Sequence, residues 1–130
     1  MSNIPAELKY TRDHEWAKQE SGNVRVGITD YAQEQLGDVV FVELPKVGAK
    51  VTAKQAFGVV ESVKAVSDLF APASGEVVEV NAELGKKPEL VNKDPYGKGW
   101  MLVIRPANPG DWNQLLTPKQ YEEHIAQGGH

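Results

Sequence analysis

Cysteine is absent from all 130 residues. That absence excludes disulfide cross-links, thiolate nucleophiles and cysteine-ligated zinc. Any exchangeable sulfur must arrive on something attached to the chain. Long apolar runs are missing as well, and none approaches the roughly 20 residues a helix needs to span a bilayer. The amino-terminal stretch "MSNIPAELKY" has neither the apolar centre of a signal peptide nor the arginine-rich character of a transit peptide. A cytoplasmic protein is the expectation, or a mitochondrial-matrix one if this is a mature organellar form, with no membrane partner. Lysine and arginine form no stripe, and the formal charge is −4. Both features argue against nucleic acid as a partner.

The machinery of catalysis is equally scarce. None of the serines (Ser2, Ser21, Ser62, Ser67, Ser74) sits in a Gly-x-Ser-x-Gly elbow, so a small hydrolase has no credible nucleophile. "GKGW" is too short for a phosphate-binding loop and lacks the Ser or Thr that would follow it. His14, His124 and His130 are far apart and lack metal-ligand spacing; His130, at the terminus, is expected to be disordered. "DHEW" places His14 between two acids, and there a hydrogen-bonding, partly exposed histidine is preferred over a ligand cluster. No catalytic residue and no metal site is assigned, and a non-catalytic protein is expected.

What is present reads as one ordinary globular domain, 41% hydrophobic and 25% charged. It spans residues 1–130, with a core from about 9 to 106 and a C-terminal helical segment from about 109 to 127. Val24, Val26 and Ile28 alternate after the turn signal Ser21-Gly22-Asn23, predicting a hairpin that includes Trp16. "TDYAQEQLG" predicts a short helix capped by Thr29 and stopped by Gly37. "GDVVFVELP" at residues 37–45 is echoed by "GEVVEVNAE" at 75–83, an offset of 38. A duplicated strand unit follows, two copies packed face to face as a flattened barrel or sandwich, with the intervening stretch as their link. Residues 86–100 are rich in Pro, Gly, Asn and Asp and read as loop. "WMLVIRP" reads as a strand ending at Pro106, and "DWNQLL" as a helical turn. "TPKQYEEHIAQGG" reads as a helix with Thr117 as cap, Pro118 at its first position, Gln120 completing a capping box and Gly128 at its end. Tyr121 and Ile125 are expected to dock it on the sheet.

One residue between the two copies stands out. In "VVESVKAVSDLF", residues 59–70, Lys64 lies at the turn of a hairpin between small apolar neighbours. A turn built for geometry alone would favour Gly, Asn or Asp. Val63, Ala65 and Val66 instead point to a surface offered to a partner, with the amine free for acylation, which would remove its charge and lengthen the side chain. One of eleven lysines is thereby singled out over a solvated turn lysine.

"GITDYAQEQLGDVVFVELP", "GVVESVKAVSDLFAPASGEVVEVN" and "DPYGKGW" together resemble the H-protein family of the glycine cleavage system, from about Lys9 to Tyr121. The resemblance implies a mainly β fold: a lipoyl-domain-like barrel-sandwich hybrid of two small sheets, with short peripheral helices and a C-terminal helix. It implies a carrier whose Lys64 receives lipoate in amide linkage, and Glu61, Ser62, Val63, Ala65 and Ser67 as the hairpin presented to the lipoate-attaching enzyme. The implied partners are a pyridoxal-phosphate glycine decarboxylase, an aminomethyltransferase using tetrahydrofolate, and a dihydrolipoyl dehydrogenase. The cargo is a water-labile aminomethyl group, so a cleft that excludes solvent is physically reasonable. By the same resemblance Glu15 and Asp68 belong to that arm-holding cleft, while Gln35 stands where relatives often carry histidine, which puts a histidine's part in doubt. The alternatives are a lipoyl or biotinyl carrier domain of another multienzyme complex and an unmodified β-rich binding module. Biotin carriers typically flank their lysine with methionine, which Val63 and Ala65 are not.

Overall fold

Val24, Val26 and Ile28 are all buried, and they lie on β3 (Asn23–Ile28), which pairs through the Ser21–Gly22 turn with β2 (Glu15–Glu20). A computed structural model describes residues 3–128; the expectation for His130 lies outside the described residues. β1 (Lys9–Tyr10) flanks β2, and α1 (Asp30–Leu36) follows β3. α1 begins as its sequence predicts, because the Thr29 hydroxyl accepts from the Ala32 amide. It ends at Gly37, whose φ of 77° is a left-handed conformation that glycine adopts without a steric penalty.

The remaining strands are β4 (Val39–Glu43), β5 (Lys50–Val51), β6 (Ala56–Ser62), β7 (Val66–Phe70), β8 (Gly75–Val80) and β9 (Leu102–Pro106). They form two sheets, one of six strands in the order β1-β2-β3-β9-β8-β5 and one of three in the order β4-β6-β7. The echoed segments supply β4 to the small sheet and β8 to the large one. Two sheets with short helices around them match the expected fold. The link is corrected: Lys64 does not join the sheets, because β6 and β7 pair with each other inside the small one. The chain crosses between sheets after β3, after β4, after β5 and after β7.

Beyond β8 a 3-10 turn (Ala82–Gly85) leads to α2 (Leu90–Lys93), a helical turn inside the stretch that reads as loop. Composition concealed it because its role is tertiary. Val91 is buried in the core, and Asn92 accepts from the Val39 amide and donates to the Gly37 carbonyl. α3 (Gly110–Asn113) and α4 (Pro118–Ala126) complete the chain, the latter with the capping box of Thr117 and Gln120 in place. The apolar interior divides into three clusters. One, with Ile28, Leu36, Val60 and Leu69, backs the small sheet; another, with Val26, Val77 and Ile104, lies on the large one; Tyr10, Trp16 and Tyr121 bind the carboxyl-terminal helix. No helix among the described residues is long and apolar enough to cross a membrane.

Candidate functional site

The tip of the β6–β7 hairpin is built by one side chain. The Ser62 amide donates to the Ala65 carbonyl at 2.8 Å, and the Ser62 hydroxyl accepts from the amides of Ala65 at 3.0 Å and Lys64 at 3.3 Å. The Val63 amide donates to the Asp38 carbonyl, tying the tip to the start of β4. With its polar groups satisfied locally, the turn can carry Val63, Lys64 and Ala65 exposed. Ser62 itself is buried, only 9% exposed, and that corrects its expected place on the surface shown to a modifying enzyme; its hydroxyl is consumed in holding the turn. Glu61 is half-buried, and Ser67 is exposed.

Lys64 takes part in none of the ion pairs found among the described residues, which join Lys18, Arg25, Lys50 and Arg105 to Glu20 and Glu76. Its methylenes run past Gly37, where a Cβ would stand 3.4 Å from Cε.

Beside the hairpin lies a cavity of about 370 Å³, within the general range of about 300–1,000 Å³ for small-molecule sites. Three elements wall it: the turn before β2 with Asp13, His14 and Glu15; α1 with Tyr31, Ala32, Gln35 and Leu36; and β7 with Val66, Ser67 and Asp68. Ile28, Val60 and Leu69 give it apolar surface. The structure thus brings Glu15, Asp68, Gln35, Ala65 and Ser67 to one place, adjoining Lys64. A second cavity of about 280 Å³, between Arg12, Lys54 and Asp111, collects none of the expected site residues.

The two expected carboxylates are differently placed. Asp68 is exposed on the edge strand β7. Glu15 is only 1% exposed. Its Oε1 accepts from the Thr11 hydroxyl at 2.6 Å and its Oε2 from the Phe70 amide at 3.2 Å, so it ties the β2 wall to the end of β7. Burial pushes its carboxyl up to about 8, against those two hydrogen bonds, which favour the charged form. Around neutral pH this burial favours the protonated form of Glu15.

Composition and spacing missed the network behind Glu15. His14 has φ 74°, a left-handed conformation that few non-glycine residues adopt. Its Nδ1 lies 2.9 Å from the Tyr121 hydroxyl, which is also 2.6 Å from Thr29 Oγ1. His14 thus hydrogen-bonds while half-buried, as the preferred reading of "DHEW" has it. These partners are 107 and 92 residues apart, and no local pattern could have joined them.

A lysine at the tip of a tight hairpin, on a two-sheet β scaffold with a partly apolar and partly acidic cavity beside it, defines a class: the small carrier domains of barrel-sandwich architecture. Comparison with known proteins narrows the class. The glycine cleavage H-protein family model matches residues 8–128, and the chain belongs to that family. It is 59% identical over 126 residues to the glycine cleavage system H protein of Geobacillus kaustophilus, covering 97% of this chain and 99% of that one. With the corresponding protein of Neisseria meningitidis serogroup C it shares 60% identity over 125 residues, covering 95% and 98%. The crystal structure of a glycine cleavage system H protein from Mycobacterium marinum superposes with a TM-score of 0.85 at 46% identity, over 98% of this chain and 100% of that one.

Proposed function

We propose that this chain is the lipoyl-bearing shuttle of the glycine cleavage system, with Lys64 as the attachment point. The observation that carries the proposal is the exposed Lys64, outside every described ion pair, next to a cavity that contains Glu15 and Asp68. Lipoate supplies, when bound, an exchangeable disulfide that takes up an aminomethyl group, gives it up and is reoxidised. The residues present fit such a group. The amine is free for amide formation, the small neighbours Val63 and Ala65 leave an attaching enzyme room, and the cavity offers Leu36, Val60 and Leu69 to a hydrocarbon chain.

Each protein group then has a definable task. Lys64 tethers, and tethering raises the effective concentration of the reactive end at any docked partner. The apolar wall excludes water. Glu15, ionising beside a cationic amine, keeps that amine protonated, and a protonated nitrogen has no lone pair with which to expel a neighbouring sulfur. Asp68 adds a second acidic group at the mouth. The partners are the pyridoxal-phosphate glycine decarboxylase, the tetrahydrofolate-dependent aminomethyltransferase, the dihydrolipoyl dehydrogenase and a lipoate-attaching enzyme, and this chain performs no chemistry of its own.

The test is glycine-dependent exchange of labelled carbon dioxide with purified glycine decarboxylase. Lipoylated wild-type protein is expected to support exchange, while the unmodified protein and Lys64→Arg give only the background of the decarboxylase. Equal exchange by lipoylated and unmodified forms would refute the proposal.

A further inference from the structure

We infer that Tyr121, on the carboxyl-terminal helix, is a positioning residue of the cleft: its hydroxyl clamps two of the three cavity walls together and so sets the place of Glu15. The inference rests on the proposed arm-holding role of the cleft. Thr29 is the N-cap of α1, the helix that lines the cavity with Tyr31, Ala32 and Gln35. His14 directly precedes Glu15 in the wall opposite. Among the described residues, Tyr121 is within hydrogen-bond distance of both, at 2.6 Å from Thr29 Oγ1 and 2.9 Å from His14 Nδ1. Thr29 Oγ1 already accepts from the Ala32 amide, which leaves its proton for the phenol and the phenolic proton for His14. The two walls are joined a second time through backbone, the Thr29 amide donating to the His14 carbonyl at 3.0 Å.

The helix is firmly seated for this purpose. Tyr121 is fully buried and stacks on Tyr10 with ring centres 4.6 Å apart and planes 8° from parallel. His124, one turn on, has Nε2 3.0 Å from the Arg12 carbonyl, and Gly128 at the helix end lines the cavity. Burial pushes the phenol's titration well above its usual range, so it stays a neutral donor at working pH. An apolar ring would satisfy the stacking alone. The hydroxyl is required by the left-handed His14, whose turn must hold its conformation for Glu15 to meet both Thr11 and the Phe70 amide.

Tyr121→Phe removes the clamp and keeps the stack. Hydrogen exchange on the unmodified protein is expected to be roughly five- to tenfold faster at the Ala32 and Phe70 amides, the change that loss of one such bond produces. Val26 and Ile104, in the large sheet, should exchange as before. Val103→Ala, at a buried position of β9 that does not line the cavity, controls for general destabilisation and should leave Ala32 and Phe70 unaltered relative to Val26. On lipoylated protein loaded with the aminomethyl group, Tyr121→Phe is expected to shorten the cargo's lifetime in water several-fold. Unchanged amides in Tyr121→Phe, or the same acceleration in Val103→Ala, would overturn the inference. A Lys64 that takes no lipoate would remove the functional reading while leaving the amide result to stand or fall by itself.

Discussion

At the scale of single residues, Lys64 and Glu15 do opposite things with charge. Lys64 leaves its side chain exposed to solvent at the hairpin tip. Glu15 gives up solvent, and its affinity for protons rises to about 8 from an ordinary value of 4.5. The folded protein therefore binds more protons at Glu15 than the unfolded chain does between those two values. Its contribution to stability is lost as pH rises from about 4.5 towards 8, and is level above and below that window. Glu15→Gln keeps the shape without the titration. Urea unfolding should show the variant gaining on wild type by on the order of 4 kcal/mol between pH 5 and pH 8.5. An equal pH response in both proteins would show that Glu15 is not the buried titrating group. Glu15 and Asp68 were legible only through the family resemblance. Nothing in the spacing of residues 15 and 68 says that a strand end and an edge strand share one cavity.

At the scale of elements, the helix caps were readable because their chemistry is local: Thr29 and Thr117 each satisfy an amide three residues away. The β2–β3 hairpin was readable for the same reason. α2 was not, since its four residues are held by Val91 in the core and Asn92 across the sheet, contacts over 50 residues distant in sequence. The hairpin tip lies between these cases. Its lysine was evident, but the burial of Ser62 was not, because a serine at a turn reads equally well as exposed. Ser62→Ala should cost about 1–2 kcal/mol of local stability, the price of leaving turn amides without their partner. Exchange at Lys64 and Ala65 should quicken and the rate of lipoate attachment should fall, with the melting temperature little changed. Attachment at the wild-type rate would show that the enzyme does not need the ordered tip.

At the scale of the whole molecule, the 38-residue echo gave the two-layer idea correctly and its wiring incorrectly. Repeated Gly-acid-Val-Val segments announce strands, yet partner choice is settled by crossings at Glu43–Lys50 and Phe70–Gly75 that carry no repeat. Close backbone approach also escaped notice: Gly58 lies where a Cβ would overlap the Glu43 carbonyl oxygen, beside an irregularity in β6. The large sheet and the carboxyl-terminal helix frame the molecule, and the small sheet holds out one amine beside a cavity. The proposed carrier role requires modification at that one lysine and nowhere else. Peptide-resolved mass spectrometry after incubation with lipoate, ATP and a lipoate-attaching enzyme tests it most directly. One lipoyl group on the peptide containing Lys64, with the other ten lysines unmodified and Lys64→Arg unlabelled, is the predicted result; lipoyl on another lysine, or an unlabelled Lys64 in folded protein, would contradict it.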